Sequence, residues 1–257
     1  MTRSSLILTG ILCLAVPGIH AETKRPPDVF AQARKAWMQA YNNAPEDMKD
    51  LYAPNSLLFT GDTAVPGNNA IADYFQKHKP VEIFPDTVFV TDIIQHDTCR
   101  YIELGRYETA NPERPPQVYI TAWRKQASAW VRELDVWIPA TRCGEVPSSI
   151  DTARACWVGL ANRHNPEDLV AGLYTADAIY FNRGIIDTGH REIARRYSYM
   201  ASPDFAIALQ PEHVVMVRPD TALETGQYLA GEYNGYYVLV WERQEDASWK
   251  AILDFNF

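Results

Sequence analysis

The 257-residue chain carries 24 Lys and Arg against 32 Asp and Glu, a net charge of −8, and 12% of its residues are aromatic. That acidic balance, without basic clusters, argues against nucleic acid or an anionic membrane as a partner. Past the N-terminus no apolar run approaches the ~20 residues that a membrane-spanning helix needs, so no membrane span is expected.

Residues 1–21 read as a secretory signal peptide. Arg3 supplies the positive end, Leu6 to Val16 the apolar run, and Ile19-His20-Ala21 a small-residue cleavage site. Cys13 would suit a lipid anchor, but Leu12 before it is larger than that signal takes. The expected location is therefore periplasmic or secreted. Cys99, Cys143 and Cys156 follow the leader, and an odd number of thiols in an oxidising compartment allows at most one internal pair. Cys143 and Cys156, close in sequence and bracketing the linker, are the expected disulfide. No Cys/His spacing matches a zinc site, so no metal is expected.

An internal repeat dominates the chain beyond the leader. Ala33-Arg34-Lys35-Ala36-Trp37 matches Ala153-Arg154-Ala155-Cys156-Trp157 at an offset of 120, and Pro45-Glu46-Asp47 matches Pro166-Glu167-Asp168 at 121. Leu51-Tyr52, Phe59, Gly67 and Ile71 match Leu173-Tyr174, Phe181, Gly189 and Ile193 at 122. Glu103, Gly105 and Tyr107 then match Glu224, Gly226 and Tyr228; Tyr119 and Trp123 match Tyr237 and Trp241; Trp130, Leu134 and Asp135 match Trp249, Leu253 and Asp254. Matches in one order with small drifts in offset mean a duplicated domain with loop insertions. The expected division is 22–140 for the first domain, 141–150 for a linker and 151–257 for the second.

Each copy opens with a helix whose apolar residues fall at helical spacing: Val29, Ala33, Trp37 and Tyr41, then Ala153, Trp157 and Leu160. A second helix starts at Asn165-Pro166-Glu167-Asp168, with Asn as cap, Pro at the first position and acids at the positive end of the dipole. A short strand (57–60 and 179–182), a glycine turn and a third helix come next, then four segments rich in Val, Ile, Thr and Tyr. Helices first and strands after predict an α+β fold, with three helices on one face of an antiparallel sheet.

This order, closing on Trp249-Lys250 and Asp254, resembles the nuclear-transport-factor-2-like superfamily, which includes SnoaL-like and ketosteroid-isomerase-like domains. The final hairpin, 237–254, is similar to that of small secreted members of unknown function. The resemblance implies a strongly bent sheet wrapped on three helices around a conical pocket. It also implies sheet-to-sheet pairing, as an internal pseudo-dimer of the two domains or a homodimer. The general-base Asp of steroid-isomerase-like members would fall on Thr60 and Asn182, and their protonated acid near Thr121 and Leu239. Thr60 and Asn182 cannot abstract a carbon-bound proton as a carboxylate does, and Leu239 donates no hydrogen bond, so that chemistry is disfavoured.

Polar residues present in both copies offer another site. Asp135 and Asp254 lie on the last strand, and alternation puts them opposite Trp130, Leu134 and Val136, or Trp249, Leu253 and Phe255. If their side faces the cone, each is a candidate acid or base; otherwise each serves backbone donors or an Arg such as Arg106 or Arg132. The expected pocket wall is Trp157, Tyr174, Glu224, Tyr228, Tyr237 and Trp241, with Trp37, Tyr52, Glu103, Tyr107, Tyr119 and Trp123 in the first copy. Glu103 and Glu224 either join the pocket or face solvent. His190 either caps the third helix or enters the pocket. No Gly-rich phosphate loop or nucleophile elbow is present, and no cofactor is expected. Three functions stay open: binding of a small apolar or aromatic ligand, a SnoaL-like isomerase, cyclase or hydrolase, and a protein-interaction module. The second copy keeps the better capping residues and closing hairpin.

Overall fold

The structure, a computed structural model, describes residues 30–78, 83, 88–95, 98–108, 115–141 and 144–256. The expected leader lies outside the described residues. The first half comprises α1 (Ala31–Asn43), a 3-10 turn (Pro45–Asp50), β1 (Tyr52–Phe59), β2 (Ala64–Pro66), α2 (Asn68–Lys77), β3 (Val88–Gln95), β4 (Arg100–Tyr107), β5 (Gln117–Gln126) and β6 (Ala129–Pro139). The second half repeats it with α3 (Ser148–Ala161), α4 (Pro166–Leu173), β7 (Tyr174–Asn182), β8 (Ile185–Thr188), α5 (Gly189–Arg196), a 3-10 turn (Tyr197–Ala201), β9 (Ile207–Arg218), β10 (Thr221–Ala230), β11 (Tyr233–Arg243) and β12 (Trp249–Asn256). Two tandem α+β domains are thus the fold. Among the described residues no helix is long and apolar enough to cross a membrane.

The helices form where the sequence places an apolar stripe and a start signal. Buried Arg34, Trp37, Met38 and Tyr41 line one face of α1, and Ile150, Ala153, Arg154, Trp157 and Ala161 one face of α3. Asn165 caps α4 by accepting from the Asp168 amide at 3.0 Å, with Pro166 at the first position. The first copy has no capping side chain there and makes only a 3-10 turn. α3 begins at Ser148, inside the expected linker, because Ile150 is fully buried against the second sheet. Cys156 falls outside the buried stripe of α3, and its thiol is free and exposed. The expected Cys143–Cys156 bridge is therefore absent at Cys156; Cys143 lies outside the described residues.

Each sheet has six strands, ordered β2-β1-β6-β5-β4-β3 and β8-β7-β12-β11-β10-β9. The expected wholly antiparallel sheet is instead mixed, since β1 pairs parallel with β6 and β7 parallel with β12. One face of each sheet meets its own helices. The opposite faces share a single apolar cluster in which Leu57, Ile120, Leu134 and Val136 pack with Phe181, Val240, Leu253 and Phe255. Two polar links cross the same boundary: the Thr141 amide donates to the Val217 carbonyl at 2.8 Å, and His213 Nε2 lies 2.8 Å from Asp92 Oδ2.

A register shift places the polar residues. It falls between Ala122 and Trp123 in the β5–β6 ladder and between Val240 and Trp241 in β11–β12. Such a bulge reverses the alternation of side chains beyond it. Asp254 does lie opposite Leu253 and Phe255, as alternation predicts, but Trp249 and Ala251 join the helix-side core with it. The expectation that Trp249 stands opposite Asp254 fails for that reason. In β6 the same shift lets Arg132 and Asp135, three residues apart on a strand, meet on one face.

Candidate ligand cavity

The residues matched between the copies build two constellations per domain. In the first, a buried Glu fastens the opening helix to the sheet. Arg154 Nε and Nη2 donate to Glu224 Oε1 and Oε2 at 2.5 and 3.0 Å, while Tyr237 and Trp241 donate at 2.8 and 2.9 Å. In the first copy Arg34, Tyr119 and Trp123 converge on Glu103 at 2.6, 2.7 and 3.1 Å. Both Glu residues are 0% exposed, so neither faces solvent, and both oxygens of each accept from the fold. Glu103, Glu224, Trp123, Tyr119 and Trp241 are fixed in these staples, and Tyr237, also in a staple, reaches a cavity as well. Arg34 and Arg154 belong to the repeated segment, yet their role is invisible without the fold.

The second constellation is centred on the closing-strand Asp, and here the copies part. Asp135 Oδ2 accepts from Tyr52 and from Arg132 Nη1, each at 2.5 Å, and Oδ1 from Thr121 at 2.8 Å. Arg132 is 1% exposed, with its guanidinium 4.0 Å above the Trp37 ring and 5.1 Å from that of Trp123. The first cone is filled further by aromatic packing: Tyr107 stacks on Tyr119, and Trp37, Phe75 and Trp137 meet edge to face or tilted. Asp135 is thus a paired carboxylate inside a packed core, and Arg132 is the partner; Arg106 instead pairs with the exposed Glu108.

Strand register places Ala251 at the position of Arg132, each opposite the matched Trp, and Leu239 at that of Thr121. On the repeat offset, Tyr197 stands where the first copy has Phe75. Asp254 consequently has no cationic partner among the described residues. Its Oδ2 accepts from Tyr174 at 2.5 Å and from Tyr197, and Tyr174 is itself held by Trp157 Nε1 at 2.9 Å. Burial raises the Asp254 carboxyl above the ordinary value of 3.8, opposed by hydrogen bonds from Tyr174, Tyr197 and Asn256. Burial and then the Asp254 charge push both tyrosines well above theirs.

The space left open is a cavity of about 420 Å³. Asp254 lies in its wall with Trp157, Tyr228 and Tyr237 from the expected set, whereas Tyr174 stands behind Asp254. Sequence reasoning missed Tyr180, Tyr197, Tyr199, Phe205 and Tyr233, which complete an aromatic wall, and Asn256. Asn256 Oδ1 accepts from Asn182 at 2.7 Å and Tyr180 at 3.1 Å, and burial pushes Tyr180 up to about 12. Asn182 and Leu239, the two positions matched to steroid-isomerase catalytic acids, do line the cavity, without a carboxyl group. His190 stays structural, its Nε2 3.0 Å from the Tyr174 carbonyl. Among the described residues the wall contains no Lys, Arg or His, and no group of three or more His, Cys, Asp or Glu could hold a metal.

No protein-family model matches the chain, and no curated protein matches it. Solved structures of about half its length do match. A nuclear transport factor 2-like protein of unknown function from Shewanella oneidensis is 14% identical, over 42% of this chain and 96% of its own, with a TM-score of 0.38. A ketosteroid isomerase-like protein from Erwinia carotovora is 17% identical over 42% of this chain and 92% of its own, TM-score 0.35. A nuclear transport factor 2-like superfamily protein from Salmonella enterica is 13% identical over 43% and 88%, TM-score 0.38.

Proposed function

We propose that this is an exported binding protein that holds a small apolar or aromatic molecule in the cone of its second domain, with the first domain as its scaffold. The observation that carries this reading is Asp254, a buried carboxyl with no cation beside it among the described residues, in the aromatic wall of a 420 Å³ cavity. Volumes of about 300–1,000 Å³, apolar walls and a few convergent polar groups are what small-ligand sites use. The first cone, filled by Arg132 and its aromatic neighbours, supports an unequal division of labour. Sheet pairing within the chain would take the place of a homodimer. It also leaves the interaction-module reading without its apolar sheet face, which is buried in the shared core.

Native mass spectrometry of protein from its own compartment, beside Asp254→Asn, tests the reading. A small molecule carried by the wild type and lost or weakened in the variant supports it; an empty cavity in both counts against stable capture. A second reading, proton transfer by Asp254 in a SnoaL-like enzyme, draws on the raised carboxyl. It predicts a substrate that is turned over, with turnover lost in Asp254→Asn while binding persists.

A further inference from the structure

The first domain contains, built into its own chain, an example of what satisfies the second domain's cavity. The Arg132 guanidinium meets Asp135 Oδ2 at 2.5 Å and lies 4.0 Å above the Trp37 ring and 5.1 Å from that of Trp123. Asp254 and Trp157, the equivalents of Asp135 and Trp37, both line the cavity, while Trp241, the equivalent of Trp123, is held on Glu224. The arginine is replaced by Ala251, and Tyr197, in place of Phe75, gives Oδ2 its second donor. A carboxylate and an indole face arranged around a guanidinium in one copy are therefore kept in the other without the cation.

We infer that the second-domain cavity takes an organic monocation, of guanidine or amine type with an apolar or aromatic body, its charged group seated on Trp157 and on the Asp254 carboxylate at Oδ1, the oxygen that Thr121 holds in the first domain and Leu239 leaves without that donor. This deepens the binding-protein reading and rests on it. Several physical features agree. Both tyrosine donors to Asp254 fall on one oxygen, Oδ2, while the residue itself lines the cavity. No cationic side chain among the described residues competes for that carboxylate in the wall. Trp, Tyr and Phe rings attract a cation through their faces, and more strongly where water is excluded. Tyr197, Tyr199, Tyr228 and Tyr233 add hydroxyls that can accept from N–H donors. The chain's net charge of −8 would draw a cation in from solution.

Isothermal titration of the full-length protein at neutral pH with phenylguanidinium and with phenylurea, its neutral isostere, tests the inference. The expected result is that phenylguanidinium binds ~10-fold tighter or better, the scale of a charge-assisted hydrogen bond. Asp254→Asn should erase that preference while leaving phenylurea within about twofold. Ala251→Arg, which supplies the guanidinium from within, should abolish phenylguanidinium binding. Equal or tighter binding of phenylurea, or a cation preference that survives Asp254→Asn, overturns the assignment but leaves the cavity a binding site. Binding of neither compound overturns both.

Discussion

Withdrawing a carboxylate from water is costly unless a cation or several donors meet it. Asp135 and Asp254 meet that demand differently, although they occupy the same position on the same strand. Arg132, Tyr52 and Thr121 hold Asp135, so Asp135→Asn should leave a fully buried guanidinium unpaired and destabilise the protein by about 3–5 kcal/mol. Thermal or urea unfolding would show a large drop, and a change below about 1 kcal/mol would remove the pair from the core's support. Asp254 points the other way. Its folded-state pKa is raised, so its contribution to stability is complete below the unfolded value of 3.8 and is lost as pH climbs through the folded value. At neutral pH the folded state bears the cost of keeping the charge buried. Asp254→Asn, which can still accept from Tyr174 and Tyr197, should therefore raise Tm at neutral pH, and the gain should shrink as the pH falls towards 3.8. A lower Tm at neutral pH would mean that the charge is already compensated.

At the scale of elements, the sheet's irregularities decide which residues can meet. Gly226, matched by Gly105 in the first copy, sits on the β9–β10 register shift, where a Cβ would collide with the Gln210 carbonyl and come within 2.8 Å of the Tyr237 hydroxyl. Those obstacles are backbone and staple atoms that cannot easily give way. Gly226→Ala should cost about 3 kcal/mol, the upper end of overpacking, and weaken the Tyr237–Glu224 bond that fastens α3. A lowered urea midpoint with unchanged slope would register it. The same irregularities limit what the sequence can disclose. Helices, strands and the duplication are legible because Trp37, Leu51-Tyr52 and Asp135 recur in order with Trp157, Leu173-Tyr174 and Asp254. The short strands β2 and β8 are too brief to leave a period. A bulge leaves none either, which is why alternation alone puts Trp249 on the wrong face. Repetition marks side chains of both kinds. The recurring Arg–Glu–Tyr–Trp set holds the fold, the recurring Asp254, Trp157 and Tyr228 line the cavity, and the space itself opens where the copies differ, at Ala251 for Arg132 and Tyr197 for Phe75. Mismatches within matched strands are the signal in the sequence that points to it.

The two sheets bury their outer faces in one shared cluster, beside a helix-side cluster in each half. Leu253 is fully buried there, against residues that include the first half's, while its neighbour Asp254 faces the cavity. Exposing that face would open a contiguous apolar sheet surface to water. Leu253→Ala should therefore cost about 2–5 kcal/mol, as a buried Leu truncation does, and should move the unfolding of both halves together. Far-UV circular dichroism and tryptophan fluorescence, the latter reporting Trp37 and Trp137 in one half and Trp157 and Trp241 in the other, should trace a single coincident transition in the wild type and the variant. The second half expressed alone, residues 144–257, should either fail to fold or pair with a second copy through the same face. Two separated transitions, or a stable monomer of the excised half, would mean that the shared cluster contributes little and that the first domain does not hold the cone in shape.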